Sequence, residues 1–464
     1  MIFQQFYLKS LGHASYFIGS EQSGEALVLD VRRDVDVYLH EARDRGMRLR
    51  FAVDTHQHND YLSGICELPE RGEIQLLAGA RAQLGYPVQH LGDGQRLEMG
   101  EVVFEILDTP GHTPEHISLL VTDRSRGDEP ALLLSGGALL VADVARPDLL
   151  GGPEEAGRHA RELCRTLSGR ILTLPDHVEV FPTHVAGSLC GGNIGSRLST
   201  TIGYERRLNR LLVGLDAGDP DAGLCLDLRN LPGIPPYWRR MRHLNQQGPP
   251  LLGSLSDPPA LAVKDFDKLL RKGALVLDCR SPEAFALHIP GALNVGLGNS
   301  FSTWAGTVLP ADAPYLLVLD TGQDLWEACW QLLRIGYNLP DGWLAGGMFA
   351  WRSAAMELAR MEQLTVWDLA REREGKTDLV ILDVRQPREW AGGHIAGAIF
   401  ITGAELPERL TEVPKNRPVA VICGSGYRST VAASLLKSRD YRRTATVMGG
   451  MNAWVKAGLP TVSE

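Results

Sequence analysis

A cysteine-containing loop near the carboxyl end of the sequence has the composition of a nucleophilic site. Cys423 follows the apolar run Val419–Ile422 and precedes a helical stretch, so we expect it between a strand end and a helix N-terminus. Backbone N–H groups and the helix dipole stabilise a thiolate, the nucleophilic form of cysteine. Arg428 adds a positive charge, and we predict that Cys423 and Arg428 are catalytic. The predicted substrate-binding residues of the same loop are Gly424, Ser425, Gly426, Tyr427 and Ser429.

The length of this loop favours sulfur chemistry over phosphate chemistry. Only four residues separate Cys423 from Arg428, a shorter gap than in cysteine phosphatases, which also need a general-acid aspartate. The hypothesis requires that the thiol face its ring of donors and be accessible from solvent.

Several histidines in the first half of the chain follow predicted strands. His56, His58 and Asp60 form an H-x-H-x-D pattern, which brings two imidazoles and a carboxylate within reach of one metal ion. His112 and His184 follow later strands. Because reactive groups of α/β proteins collect in loops at strand ends, we predict a metal site from these five residues. His116 and Asp143 either support that site or are purely structural.

The elements that carry the cysteine loop belong to a sequence that occurs twice. Three segments of the second half recur after 103 to 106 residues: Asp278–Glu283 as Asp383–Glu389, His288–Ala292 as His394–Ala398, and Gly346–Trp351 as Gly449–Trp454. Each copy alternates short apolar runs with helical stretches, which predicts a doubly wound parallel sheet.

Proline and glycine divide these copies from the front of the chain. The stretch Gln246-Gln247-Gly248-Pro249-Pro250 and the later Pro258-Pro259 resist helix and central strand, so we predict a linker over 246–259. We therefore expect one domain over 1–245, a second over 260–360 and a third over 361–464.

Composition excludes several classes of protein. The 464 residues are 44% hydrophobic and 22% charged, which is typical of a globular chain, and a net charge of −9 argues against general nucleic-acid binding. No apolar stretch is long enough to span a membrane, and the N-terminus lacks the pattern of a secretory signal. Seven unpaired cysteines favour a reducing compartment. We expect a cytoplasmic protein, either monomeric or homo-oligomeric.

The second copy resembles the rhodanese family of sulfurtransferases. The resemblance rests on Asp383–Arg385, Gly393–Ala398, the Cys423–Arg428 loop and Gly449–Trp454. It implies that Cys423 carries a persulfide during turnover, with the loop N–H groups and Arg428 binding the substrate. The first copy has Asp320-Thr321-Gly322-Gln323-Asp324-Leu325 at the equivalent loop, without a thiol or an arginine. We therefore expect an inactive rhodanese-like domain, in which Cys279 and Cys329 serve packing.

The first half resembles the αββα metallo-β-lactamase fold, and more closely its persulfide-dioxygenase branch and the glyoxalase II hydrolases. The matching segments include Leu11–Tyr16, Thr109–His116, Val144–Leu149 and Thr201–Arg206. The resemblance implies that His56 and His112 bind iron together with an aspartate. Here Gly137 stands in place of that aspartate, and Tyr61 stands in place of the last histidine of the wider family.

Three alternatives follow for the altered metal site. A metal, Fe(II) or Zn(II), binds through His56, His58 and His112; it binds through His56 and His112 with water in the vacant position; or the domain is a metal-free scaffold. Asp60 and His184 remain available near this site.

The sequence as a whole predicts an enzyme of sulfane-sulfur metabolism. Cys423 would move sulfur from a small-molecule persulfide or thiosulfate to a thiol or cyanide, coupled to persulfide oxidation if the front domain holds iron. The alternatives are thioester hydrolysis at a zinc site of the glyoxalase II kind and a non-catalytic role of the front domains as sulfur-carrier docking platforms. Iron in the purified protein would support oxygenation, and zinc would support hydrolysis. The absence of metal would support a docking platform.

Overall fold

The computed structural model describes residues 1–212, 215, 231–375 and 377–463. Two compact units divide the chain: Met1–Leu231 with Trp238–Ser254, and Pro232–Tyr237 with Leu255–Glu464. Among the residues described, no helix is long and apolar enough to pass through a bilayer. Six of the cysteines are free thiols, and Cys225 lies outside the described residues.

The first unit contains two six-stranded sheets. One has the strand order β1-β2-β3-β4-β5-β6, and the other has the order β14-β13-β10-β9-β8-β7. The first sheet comprises β1 Ile2–Leu8, β2 His13–Gly19, β3 Glu25–Leu29, β4 Arg48–Val53, β5 Gln75–Gly79 and β6 Gln89–Leu91. The second comprises β7 Arg96–Met99, β8 Val102–Asp108, β9 Ile117–Asp123, β10 Leu132–Gly136, β13 Glu179–Pro182 and β14 Thr200–Thr201; a separate ribbon pairs β11 Leu139–Leu140 with β12 Asp143–Val144.

Helices cover the outer faces of both sheets. The helices are α1 Asp36–Asp44, α2 Pro153–Thr166, α3 Ile202–Leu208 and α4 Trp238–Gln247, with 3₁₀ turns at Ile65–Glu67 and Pro69–Arg71 and a π turn at Leu167–Ile171. Along β2, Tyr16 and Ile18 pack between the sheets while Phe17 packs outward beside Tyr38 of α1. Leu163 of α2 packs on the other sheet. This period of two, with both faces buried, confirms the αββα sandwich.

The second unit contains two five-stranded parallel sheets with the same strand order. They are β15-β20-β19-β16-β18 and β22-β26-β25-β23-β24. The first comprises β15 Ala260–Leu261, β16 Leu275–Asp278, β18 Leu293–Asn294, β19 Tyr315–Val318 and β20 Gly342–Leu344. The second comprises β22 Glu362–Leu364, β23 Val380–Asp383, β24 Ile399–Phe400, β25 Val419–Ile422 and β26 Thr444–Val447, and an antiparallel pair joins β17 Leu287–His288 to β21 Ala359–Arg360.

Helices alternate with the strands in both copies, as the sequence predicts. The first copy has α5 Val263–Leu270, α6 Phe301–Val308, α7 Leu325–Leu333, α8 Gly347–Ser353 and a 3₁₀ turn at Ala284–Ala286. The second has α9 Val366–Glu374, α10 Pro387–Ala391, α11 Leu406–Arg409, α12 Tyr427–Ser438, α13 Gly450–Lys456 and a 3₁₀ turn at Leu410–Glu412. The shared strand order confirms a doubly wound parallel sheet in each copy. The predicted linker begins inside α4, since that helix continues to Gln247.

Candidate functional site

Three histidines of the first unit meet in the loops that follow β4, β8 and β13. His56, His112 and His184 are all buried, and one ring nitrogen of each lies within 4.8 Å of the others. The Nε2 atoms of His56 and His184 are 3.4 Å apart. Three nitrogen donors at these separations are a metal-ligand arrangement.

The ring of His112 is held so that one nitrogen is left for a metal. Its Nδ1 lies 2.9 Å from the backbone oxygen of Arg146. A carbonyl oxygen only accepts hydrogen bonds, so Nδ1 carries the proton and Nε2 has the free electron pair. That Nε2 atom is buried and has no hydrogen-bond partner. A buried ring nitrogen without a partner fits a metal ligand, whose other nitrogen is usually anchored in this way.

The other two rings are anchored similarly. Thr55 Oγ1 donates to Asp30 Oδ2 at 2.9 Å, so it accepts from Nδ1 of His56, also at 2.9 Å. Nδ1 of His184 lies 3.3 Å from Asp60 Oδ2. Both anchors leave Nε2 facing the cluster.

Electrostatics favour the neutral ring at His56 and His112. Burial, with the neighbouring imidazoles, lowers the pKa of His56 and His112 well below the ordinary value. Burial also lowers the pKa of His184, but the neighbouring Cys190 and Asp60 outweigh burial and raise that pKa well above the ordinary value. Burial raises the pKa of Asp60, but the adjacent His184 outweighs burial and lowers that pKa to about 2. Two neutral imidazoles are therefore ready to bind a divalent cation, and the third ring, that of His184, must give up a proton when the cation binds.

His58 does not join this trio. Its Nε2 lies 3.2 Å from Asp30 Oδ1, whereas the three-nitrogen face expected from the sequence contained His58 in place of His184. His58 contributes instead to a second group with Asp60 and His184, whose ligand atoms also lie within 4.8 Å of one another. Tyr61 packs its ring against that of His58, with centroids 4.4 Å apart.

The position of the missing aspartate is filled. A Cβ atom added at Gly137 would lie 2.4 Å from His112 Cδ2, so the imidazole occupies the space next to that backbone. The Gly137 N–H donates to His116 Nε2 at 2.7 Å, and this bond uses the electron pair of His116. The carboxylate of Asp143 accepts backbone N–H bonds from Val144 and Asn193. His116 and Asp143 therefore hold the backbone of neighbouring loops in place.

Helix α4 closes the loop that carries His56 and His58. The amide of Asn245 donates to the backbone oxygens of His58 and Tyr61 and accepts from the N–H of Ser63. Arg242 of the same helix pairs with Glu115 at 3.2 Å. A cavity of about 10 Å³, room for about one water, lies beside His56. No pattern in the sequence identified α4 or Asp30 as parts of the site, although Asp30 ends an apolar run.

The Cys423 loop has the predicted strand–loop–helix geometry. Cys423 follows β25, and the N–H of Gly426 donates to its Sγ at 3.1 Å, just before α12 begins. Ser429 Oγ lies 3.6 Å from the same sulfur. Gly426 has φ +115°, which requires glycine. A Cβ at Gly450 would lie 2.2 Å from the oxygen of Cys423, so a glycine is needed there as well.

The thiol faces its donors, as the sequence predicts, but the expectation that it is accessible from solvent is wrong for this structure. Cys423 is 1% exposed, whereas Ser425 at the rim of the loop is exposed. Tyr427 donates from its hydroxyl to the oxygen of Gly296 in the first copy, at 2.7 Å. A sulfur donor therefore has to reach Sγ by displacing part of this rim.

Arg428 is paired with a carboxylate. Its Nη1 and Nη2 donate to the two carboxylate oxygens of Glu389 at 2.6 and 2.7 Å. Burial raises the pKa of Glu389, but Arg428 outweighs burial and the net pKa is below the ordinary value. The sequence predicted a role for Arg428 but did not identify Glu389 as its partner.

In the first copy, the side chain of Gln323 fills the equivalent loop. Gln323 donates from Nε2 to the oxygen of Cys279 and accepts from the N–H of Asp320, both at 2.7 Å. Burial raises the pKa of Cys279, and it raises the pKa of Cys329 to about 12. Both cysteines are fully buried, as packing residues are.

Known proteins match both halves of the chain. The Rhodanese-like domain family matches residues 262–354 and 366–457. A sulfurtransferase of Allochromatium vinosum is 38% identical over 86 residues, which are 18% of this chain and 80% of that protein. The mitochondrial persulfide dioxygenase ETHE1 of Mus musculus is 28% identical over 220 residues, or 45% of this chain and 75% of that protein.

One solved structure spans much of the chain. The metallo-β-lactamase from Staphylococcus aureus is 29% identical with a TM-score of 0.66 and covers 74% of this chain and 99% of its own. Together with the three buried histidines and the two parallel-sheet copies, these matches place the chain among proteins of sulfur metabolism. The chain belongs to the rhodanese family, with two rhodanese-like domains that follow a metallo-β-lactamase-fold region similar to persulfide dioxygenase.

Proposed function

We propose that this protein is a sulfurtransferase that carries sulfane sulfur on Cys423. The observation that carries the proposal is the 3.1 Å contact between Cys423 Sγ and the N–H of Gly426 at the start of a twelve-residue helix. A backbone donor and a helix N-terminus both favour negative charge on the sulfur. The sulfurtransferase relative supports the same assignment.

Sulfur transfer at this thiol is balanced without an external oxidant. The Cys423 thiolate attacks the outer sulfur of the donor, the donor's S–S bond breaks, and a new S–S bond forms on Cys423. The leaving group departs with the electron pair, as a thiolate from a persulfide or as sulfite from thiosulfate. An acceptor thiol or cyanide then attacks the terminal sulfur and restores the Cys423 thiolate.

Peptide mass spectrometry of the treated full-length protein tests the proposal. After exposure to a persulfide and removal of excess reagent, we expect the peptide with Cys423 to gain the mass of one sulfur atom and to lose it again with cyanide. Cys423→Ser should abolish both changes. Cys66→Ser is the control, because Cys66 is a free and more exposed thiol in the first unit. A gain of sulfur that persists in Cys423→Ser contradicts the proposal.

We further propose that the first unit binds a divalent metal ion through His56, His112 and His184. The supporting observation is the buried, unpartnered Nε2 of His112, which faces the other two rings. Bound iron would supply the reaction of a persulfide with dioxygen, the activity named for the relative in Mus musculus. Asp30, through Thr55, and Asp60 would hold two of the imidazoles in the ligand tautomer. Both units would then act on sulfane sulfur.

Metal content distinguishes the proposed ligands His56, His112 and His184 from the set His56, His58 and His112 considered from the sequence. We expect His184→Gln to lower the metal content of the purified protein about tenfold or more, as removal of a ligand does. His58→Gln should retain most of the metal, because His58 faces Asp30. Elemental analysis measures both, and His90→Gln is a control on the surface. Loss of metal in His58→Gln with retention in His184→Gln contradicts the assignment, and the element found decides between iron and zinc.

A further inference from the structure

The ion pair between Arg428 and Glu389 lies beside the Cys423 loop. It is a fork in which two guanidinium nitrogens meet two carboxylate oxygens, the strongest geometry for this pair. Glu389 is fixed from a second side, because its Oε2 accepts the N–H of Gln386 at 3.0 Å at the start of α10. The carboxylate therefore stays on Arg428 in the resting protein.

The ion pair lies over the residue that follows the nucleophile. A Cβ atom added at Gly424 would lie 3.0 Å from Nη2 of Arg428 and 3.4 Å from Oε1 of Glu389. The side chains of Arg428 and Glu389 are 21% and 36% exposed, so solvent screens the pair only in part. A donor approaching Cys423 consequently meets a negative charge together with the positive one.

The two copies within the chain indicate that Glu389 belongs to the reactive loop. Trp390 stacks on His394 with ring centroids 3.5 Å apart, and Phe285 stacks on His288 at 4.0 Å in the first copy. This equivalence places Ala284 at the position of Glu389. The first copy also has Leu325 at the position of Arg428. Both charges are absent where the thiol is absent, although the fold is kept.

We propose that Glu389 selects the sulfur donor by neutralising Arg428, so that the site takes an organic persulfide in preference to thiosulfate. This inference rests on the proposed function of Cys423. From a persulfide R–S–S⁻, Cys423 takes the outer sulfur and R–S⁻ leaves with one negative charge. From thiosulfate, the same attack releases sulfite, a dianion whose charge lies on the leaving group. The carboxylate of Glu389 repels that dianion, and Arg428 is not free to receive it.

Donor preference measured in Glu389→Gln tests this role. The donors are thiosulfate and 2-hydroxyethyl persulfide, whose organic group is uncharged, with cyanide as acceptor and Cys423→Ser as the blank. We expect the wild-type kcat/KM to favour the persulfide. Glu389→Gln should shift the ratio of the two values toward thiosulfate by about tenfold, because it releases Arg428 and removes the repulsion. The shift should appear mainly in KM for thiosulfate.

Two further variants separate charge from packing. Glu389→Asp keeps the carboxylate and should preserve the wild-type ratio. Glu412→Gln removes a carboxylate from a surface pair with Arg409 in the same domain and should leave both kcat/KM values unchanged. A wild type that favours thiosulfate, or an unchanged ratio in a folded Glu389→Gln, overturns the role of Glu389 alone. Absence of any Cys423-dependent transfer overturns the proposed function itself.

Discussion

His112 and Gly137 show how one residue determines what its neighbour can be. The imidazole lies where the first side-chain carbon at position 137 would be placed, and its Nδ1 is anchored on the oxygen of Arg146. Gly137 thus makes room for the ring of His112, in addition to standing in place of the aspartate that the resemblance implies. Restoration of an aspartate at this position has to move the ring.

We therefore expect Gly137→Asp to lower metal content and to destabilise the protein by about 1–3 kcal/mol, the typical consequence of overpacking. Elemental analysis and thermal unfolding measure the two effects. Gly72→Asp is the control, because a Cβ at Gly72 meets nothing within 4 Å. An increase in bound metal at unchanged stability would show that the ring yields easily and that position 137 is an open ligand position.

The sequence predicted the identity of most reactive residues here and not their contacts. Histidines that follow predicted strands can be recognised in the sequence, and His56, His112 and His184 are all of this kind. The choice of His184 over His58 depends on Asp30, which turns His58 away, and on Asp60, which faces His184. Contacts between loops of this kind leave no pattern in the sequence. The same holds for Glu389, which lies 39 residues before Arg428.

Helix α12 links the reactive loop to the first copy. Its first residue, Tyr427, bonds to the oxygen of Gly296, and the hydroxyl of Ser434 accepts the N–H of Asn294 at 2.9 Å. The copy without a thiol thus fixes one end of the loop that has one. This gives the first copy a mechanical role.

We expect Tyr427→Phe to lower kcat for sulfur transfer by about threefold to tenfold, because the loop loses its anchor while the fold remains. Tyr441→Phe is a matched control, since its hydroxyl also donates to a backbone oxygen, that of Leu410, within the second copy. Each variant should lose about 1 kcal/mol of stability, the usual value of one such bond. Equal kcat values in the two variants would contradict the anchoring role.

We expect the turn from Phe285 to His288 to make the stability of the second unit depend on pH. Burial lowers the pKa of His288 to about 4. Unfolded histidine binds a proton near pH 6.5, so the contribution of the neutral ring is complete above that pH and is lost progressively down to pH 4. Denaturant unfolding should show a loss of about 3 kcal/mol over this range, which His288→Gln should reduce. A flat profile in the wild-type protein contradicts this expectation.

The parallel, doubly wound sheets were the part of the fold that the sequence predicted best. Continuous apolar runs that end in aspartate became central parallel strands in both copies, because strands covered on both faces must be apolar throughout. The role of helix α4 was harder to predict from the sequence, because it depends on a single asparagine, Asn245, that contacts backbone 182 to 187 residues away. The division into three domains, with its boundaries, stays a prediction.

At the scale of the whole chain, the proposed metal belongs to the first unit and the nucleophile to the second. We expect a chelator to increase backbone hydrogen exchange in the loops of His56, His112 and His184, because bound metal stabilises only the unit that holds it. The Cys423 loop should keep its protection. Mass-spectrometric hydrogen exchange measures both regions. Increased exchange around Cys423 after chelation would contradict a metal confined to the first unit.

The clamp made by Asn245 also bears on how the protein is synthesised. A nascent chain that has left the ribosome as far as Leu208 already contains all three histidines, yet the loop of His58 and Tyr61 still lacks the amide that bonds it. Closure of that loop therefore waits until nearly the whole first unit has been translated.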